Sequence, residues 1–442
     1  MKKCVWLFLV GCLATVTILS LNGQALAQAK PIKIAVLGPM THISGKHVMD
    51  GASMARDEIN QAGGVNVGGQ KRPIELVQVD TNEFVSVTDA ASAVERTIAV
   101  DKVDFLLGGF RSEAVLAMQD VAMDNKKVMI TGGSDIAIGK RVKDNYNRYK
   151  YWFRTYYNTT DGMTYTSADG KRYYFDGLRG LRDMLKKDLG IDKPKVAILI
   201  EKAVGWDPLA NIAPKMIEGL GYEVVGMWRP STVATDVSAE LLAIKNKGAH
   251  IIYTVSWGPV GLVLCKQWAE YKIPALLGGS IGEASNATFM KSTNGTGNYV
   301  SSFAVIGRVK ITDKTIPFWD KYVKTHEQFP DPYTTYFYDN LHRLKEAIEK
   351  AGSLDPDKVV ASLEKTVYAG AAGTYRVLGM DSATPHDVPV GHRGLLGIAA
   401  QWQEGKYEII WPPADGSWEG IKYPGVVAGQ LPPWMATYWK KN

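Results

Sequence analysis

From Ile32 to Gly133 the chain repeats one unit, an apolar run followed by a segment with apolar residues at helical spacing. Ile32 to Gly38 is the first run, and Ala52, Ala55, Ile59 and Ala62 then mark a helix that stops at Gly63-Gly64. Ile74 to Val79 predicts a second strand, and Val87, Ala91, Val94 and Ile98 a second helix. Val103 to Leu107 predicts a third strand, closing at Gly108-Gly109. A helix from Ser112 to Asp124 and a strand from Lys127 to Thr131 complete the series at Gly132-Gly133. Repeated βα units of this length imply a parallel sheet with helices on both faces.

After an aromatic stretch from Tyr146 to Phe175, the pattern restarts. Leu178, Leu181, Leu185 and Leu189 predict a helix, followed by a strand over Lys195 to Ile200. Helices over Leu209 to Leu220, Val237 to Lys247 and Val260 to Tyr271 then alternate with strands over Tyr222 to Trp228, His250 to Ser256 and Pro274 to Gly278. This is a second α/β sheet, and no linker rich in Pro, Ser or charge separates it from the first. The last third differs. Helices are expected over Thr315 to Gln328, Tyr333 to Ala351 and Pro356 to Lys365. The end is β-like over Gly373 to Leu378, Gly394 to Gln403 and Lys406 to Trp411, with Glu404-Gly405 as a hairpin turn.

With 442 residues, 46% of them hydrophobic and 22% charged, the chain can bury the cores of two or three domains. Residues 1–27 read as an export signal: Lys2 and Lys3, an apolar run from Cys4 to Leu21, and small residues at the cleavage site Ala25-Leu26-Ala27. Periplasmic export is therefore expected. Leu9-Val10-Gly11-Cys12 is the competing signal, a bacterial lipoprotein box that would anchor the chain at Cys12. Only Cys265 remains beyond the leader, so no intramolecular disulfide is expected, and its apolar neighbours suggest a buried thiol. The net charge is +6, or +4 once Lys2 and Lys3 leave with the leader. That is too mild for a nucleic-acid footprint.

Parallel strands deliver their C-terminal loops to one sheet edge, where open α/β sheets bind ligands. In the first half these loops are Gly38 to Gly45, Gly108 to Glu113 and Gly132 to Ile136. Their backbone N–H groups and helix starts suit a carboxylate. In the second half the loops offer Gly205-Trp206-Asp207, Ser256-Trp257-Gly258 and Gly279 to Glu283, and two tryptophans at strand ends suggest an aromatic wall. Gly278-Gly279-Ser280-Ile281-Gly282 also matches G-x-S-x-G, which makes a secreted serine hydrolase with Ser280 as nucleophile the rival reading. His326, His342, His386 and His392 follow it as candidate bases. Phosphate-loop, dinucleotide and zinc-protease signatures are absent, and neither a cofactor nor a metal is expected.

Several segments together resemble the periplasmic substrate-binding proteins of the branched-chain (hydrophobic) amino-acid ABC transporter family. They are Ile34 to Thr41, Asp50-Gly51-Ala52, Asp57 to Val65 and Ile74 to Val77 with Asp80. Phe153-Arg154-Thr155, Tyr338-Asp339, Ala347 to Ser353 and the Gln401 to Lys406 hairpin add to them. The resemblance implies a type I periplasmic-binding fold: two doubly wound α/β lobes joined by a three-crossing hinge, the third crossing near Tyr368 to Gly373. The first lobe would be 31–153 plus 305–368 and the second 154–304 plus 369–442. By the same resemblance, Arg111, Ser112, Glu113, Gly132, Gly133 and Ser134 would hold a ligand carboxylate. Trp206 and Trp257 would give aromatic contacts, and Glu283 would meet an ammonium. His42 in the first loop, the charged Arg111 and Glu113, and an insertion over Thr159 to Phe175 depart from leucine-binding members. The expected ligand is accordingly an amino acid, an aromatic acid, an amide or a short carboxylate. Hinge closure would capture it, and it would pass unchanged to an ABC permease and its ATPase.

Overall fold

The fold is described from a computed structural model covering residues 30–156, 175, 177–390, 398–413, 415–416 and 425–440. The export signal, Cys12, the bulk of the 159–175 insertion and His392 lie outside the described residues.

The first sheet follows from the opening repeat. Strands β1 (Ile32–Gly38), β4 (Ile74–Asp80), β5 (Phe105–Gly108), β6 (Met129–Thr131) and β7 (Trp152–Arg154) stand in the order β4-β1-β5-β6-β7, all parallel. A small hairpin, β2 (Val65–Val67) and β3 (Gln70–Arg72), interrupts the series. Helices α1 (Ile43–Gln61), α2 (Val87–Arg96), α3 (Ser112–Asp124) and α4 (Ile136–Asp144) supply the crossovers. β7 carries no strand signal in sequence, because its three residues include an arginine and sit in an aromatic stretch. Arg154 is nonetheless fully buried and pairs with Asp387 at 2.6 Å.

The second sheet has seven strands. β8 (Lys195–Ile200), β9 (Glu223–Trp228), β10 (Ile251–Ser256), β11 (Leu276–Ile281) and β12 (Ser301–Val305) are parallel. β15 (Ile398–Gln403) and β16 (Lys406–Trp411) add antiparallel to β12, giving the order β16-β15-β12-β11-β10-β8-β9. Glu404 and Gly405 both have positive φ, as a two-residue hairpin turn requires. The strand expected over Gly373 to Leu378 is only β14 (Thr374–Tyr375), which pairs with β13 (Tyr368–Ala369).

β11 runs three residues past its expected end at Gly278. Gly279 stays in the strand because the Thr254 backbone crowds it: a Cβ there would lie 1.9 Å from the Thr254 oxygen. Ser280 is therefore a buried strand residue, and the sharp strand-to-helix turn that a nucleophile elbow needs is not formed. The hydrolase reading loses its structural basis.

The helices Pro332–Ala351 and Pro356–Leu363 return to the first sheet and bury Tyr333, Phe337, Leu341, Leu344, Val359 and Leu363 in its core. Asp331 caps the longer one, accepting from Thr334 N–H at 2.7 Å, with Pro332 in the first turn. The chain thus passes between lobes three times: after β7, after β12 and after Leu363. At the third passage Asp339 accepts from the N–H groups of Ala371 (2.7 Å) and Ala372 (2.8 Å). Among the described residues no helix is long and apolar enough to cross a membrane.

Candidate functional site

The first-lobe side of the cleft is built at the C-terminal edge of β5 and β6. Arg111 is extended at the N-cap of α3 and gives no side-chain cap. The first N–H groups of the helix, which lack intrahelical partners in any helix, therefore meet no capping side chain either, and they carry the positive end of the helix dipole. Glu83 fixes this turn from beneath: its buried carboxylate accepts from Phe110 N–H at 2.8 Å, Arg111 N–H at 2.6 Å and Thr81 Oγ1 at 2.9 Å. Burial raises the Glu83 pKa, and these donors work against that rise. The Arg111 guanidinium folds back onto the Glu83 and Phe84 carbonyls and onto Glu113 at 3.2 Å. Ser112 Oγ accepts from Ser134 N–H (3.0 Å) and Asp135 N–H (3.1 Å), joining the two loops. Behind them Arg154 donates to the Gly133 and Asp135 carbonyls.

The second-lobe side uses a similar device. Glu201, at the end of β8, is 2% exposed. Its Oε1 accepts from Trp206 Nε1 at 3.0 Å and Trp257 N–H at 3.1 Å, and its Oε2 from Gly258 N–H at 2.9 Å. Burial raises the pKa of this carboxylate too. The Trp257 indole donates to Ser280 Oγ at 2.8 Å and lies over Gly282, where a Cβ would meet its ring at 2.8 Å.

The lobes enclose a cavity between these two edges. Arg111, Ser112, Glu113 and Ser134 line it from the first lobe; Glu201, Trp206, Thr232, Trp257 and Ser280 line it from the second. Phe84, Phe110, Tyr156, Tyr333 and Tyr336 complete the wall, so seven of the lining side chains are aromatic. Counted together with the open solvent at its mouth, the space amounts to about 820 Å³. The rings brace one another: Phe110 packs edge-on against Phe84 (5.3 Å) and Tyr333 (5.0 Å), and Tyr333 against Trp257 (5.3 Å). The lobes meet tightly at Gly205, where a Cβ would stand 2.9 Å from both Ser112 Oγ and Ser134 Oγ.

A smaller space lies on the other side of Trp257 and Tyr333, lined by His42, Ser44, His47, Glu283, Asn286 and Asp331. His42 Nδ1 accepts from Ser44 N–H, which leaves Nε2 turned to Glu283 at 3.7 Å. Burial, then the charges of His47 and Lys46, lowers the His42 pKa, and burial raises that of Glu283. Burial also opposes charge on His47, but Asp331 at 2.5 Å outweighs it and the net shift is upward.

Six of the residues named from sequence thus share one cavity: Arg111, Ser112, Glu113, Ser134, Trp206 and Trp257. Gly132 and Gly133 sit a layer behind it, where Gly133 N–H donates to the Tyr156 hydroxyl at 3.2 Å. His42 and Glu283 belong to the smaller space. Glu83, Glu201, Phe84, Phe110 and the tyrosines are site residues that sequence reasoning misses. Among the described residues no group of His, Cys, Asp and Glu is placed to hold a metal ion.

Two lobes, parallel strand ends facing a shared cleft and an aromatic-lined cavity between them define a solute-binding clamshell. Residues 31–392 match the family model described as periplasmic binding protein, and the chain belongs to that family. It is 24% identical over 355 residues to the Leu/Ile/Val-binding protein homolog 1 of Brucella abortus, covering 80% of this chain and 86% of that one. Its fold, of the type I periplasmic-binding class, is shared with a leucine binding protein from Thermotoga maritima. There the TM-score is 0.65 at 21% identity, over 86% of this chain and 98% of that one. A solute binding protein of an ABC transporter from R. palustris, in complex with benzoate, gives a TM-score of 0.66 at 16% identity, over 90% and 99%.

Proposed function

We propose that this protein is the exported solute-binding component of an ABC importer and that its ligand is a small aromatic carboxylate. The observation that carries the reading is the cavity itself. The uncapped start of α3, with the Ser112 and Ser134 hydroxyls, faces a wall of seven aromatic rings. Helix-start N–H groups suit a carboxylate, and rings suit a planar apolar body. The benzoate held by the R. palustris neighbour supports this choice. A leucine-like ligand would also find an acid here, but it is Glu201, since Glu283 stands beyond Trp257 and faces His42. Its branched body matches a wall of seven flat rings less well than a planar ring does.

In this reading residues 1–27 direct export to the periplasm, and the lobes divide as 31–153 plus 305–368 and 154–304 plus 369–442. The first lobe takes the carboxylate, and the ligand then draws in Trp206 and Trp257 of the second lobe. Closure follows from those two rings, since only interactions that differ between open and closed states can shift that balance. The ligand leaves chemically unchanged to a permease and its ATPase. Titration calorimetry of the mature chain against benzoate, its ring-substituted relatives, benzamide and leucine tests the ligand class. Binding of at least one aromatic carboxylate, with leucine silent, is expected. Binding of leucine with every aromatic acid silent would overturn it.

A further inference from the structure

We infer that Glu201 receives a hydrogen-bond donor carried by the ligand's ring, so that the cavity is built for hydroxy- or amino-substituted aromatic acids. This rests on the aromatic-carboxylate reading above and adds to it the group at the far end of the ligand.

A carboxylate offers about four acceptor positions. In Glu201, Oε1 uses two of them, for Trp206 Nε1 and Trp257 N–H, while Oε2 uses one, for Gly258 N–H. One position on Oε2 is taken by no described residue, on a side chain that lines the cavity and is 2% exposed. Its three partners are neutral, and the Arg111 guanidinium opposite is engaged with Glu83, Phe84 and Glu113 of its own lobe. Three N–H donors around the carboxylate favour its ionised form against the pull of burial. Its spare acceptor position favours a further donor and rejects a group that can only accept. The donor site belongs to the second lobe and the helix start to the first. A ligand with a carboxylate at one end and a donor at the other therefore bridges the cleft, and the donor's contact exists only when the lobes are closed. An unsubstituted ring gives the second lobe apolar contact alone.

Calorimetry at pH 7 with benzoate, 3- and 4-hydroxybenzoate, their methyl ethers and 4-aminobenzoate tests this. At least one hydroxybenzoate is expected to bind tenfold or more tightly than its methyl ether and than benzoate, as a hydrogen bond to a charged acceptor warrants. In Glu201→Gln that preference should fall below about threefold, because the oxygen kept by Gln goes to the tryptophan donors and the NH₂ replaces the spare acceptor. Equal affinity of hydroxyl and methyl ether in the unaltered protein overturns the inference whether or not the variant folds, and a folded variant with its preference intact overturns the choice of Glu201. If no aromatic carboxylate binds at all, the ligand class itself fails, and this inference with it.

Discussion

Glu83 and Glu201 do the same work in opposite lobes: each buried carboxylate accepts from the backbone N–H groups of two consecutive residues, Phe110 and Arg111 for one, Trp257 and Gly258 for the other. A loop at the end of a parallel strand has N–H groups without sheet partners. In both lobes an acid from just past the end of another strand of the same sheet satisfies them and fixes the loop before any ligand arrives. The donors differ in one respect. Glu83 also meets the Thr81 hydroxyl, which can donate or accept, whereas all three partners of Glu201 can only donate.

That difference predicts unequal tolerance of glutamine. In Glu83→Gln the oxygen can keep both N–H groups while the NH₂ turns to Thr81, so the melting temperature should fall by no more than a few degrees. In Glu201→Gln an NH₂ must face an N–H, and the loss should be larger. Glu83→Ala, which leaves two part-buried N–H groups without their acceptor, should cost on the order of 3 kcal/mol. Urea unfolding of the four proteins checks the ranking, and an equal cost for the two glutamines would refute it.

Gly205 predicts a wedge. A Cβ there meets two hydroxyl oxygens of the other lobe at 2.9 Å, so the closed cleft has no room for a larger side chain. Gly205→Val should leave each lobe folded, with an unchanged circular dichroism spectrum, while weakening ligand affinity at least tenfold. Small-angle scattering should show a radius of gyration that no longer shrinks when ligand is added. A variant that compacts like the unaltered protein would show that closure does not pass through this contact.

What can be read from sequence follows the same physics. Each parallel βα unit is legible, since apolar strands end in glycine and helices show their period. Trp206 and Trp257 stand out because a bulky ring at a strand end has no role in a turn. Glu83 and Glu201 are illegible, as the loops they hold are reached through backbone N–H groups up to 57 residues away, which leave no local pattern. Resemblance places Glu283 close to the cleft, but Trp257 stands between it and the main cavity. The GGSIG run reads as a turn because its glycines hide a strand crowded by Thr254.

Asp339 gives the fold a pH signature. It is fully buried under the third hinge passage, and burial lifts its pKa from 3.8 to about 6 against the pull of the Ala371 and Ala372 N–H groups. Below about pH 4 the folded and unfolded chains both hold the proton. Between about pH 4 and 6 only the folded chain keeps it, so this group's contribution to stability falls as pH rises, by on the order of 3 kcal/mol, and levels off above 6. Asp339→Asn should lack this slope. Urea midpoints of both proteins across pH 4 to 7 give the difference, and parallel curves would contradict the assignment.

Ser280→Ala separates binding from catalysis. As a nucleophile Ser280 would need a base, yet of the candidates among the described residues His342 pairs with Glu58 and His386 with Glu364, while His326 stacks on Tyr322. The side-chain partner of Ser280 is instead the Trp257 indole. The unaltered protein should hydrolyse simple esters no faster than the variant. The variant should bind its ligand several-fold more weakly, because an indole N–H that loses its acceptor costs about 1 kcal/mol and frees the ring that faces the cleft. Ligand-induced tryptophan fluorescence should shrink in parallel. Ester turnover that disappears with Ser280 would restore the enzyme reading, and an unchanged affinity and fluorescence response would remove Trp257 from the closing wall.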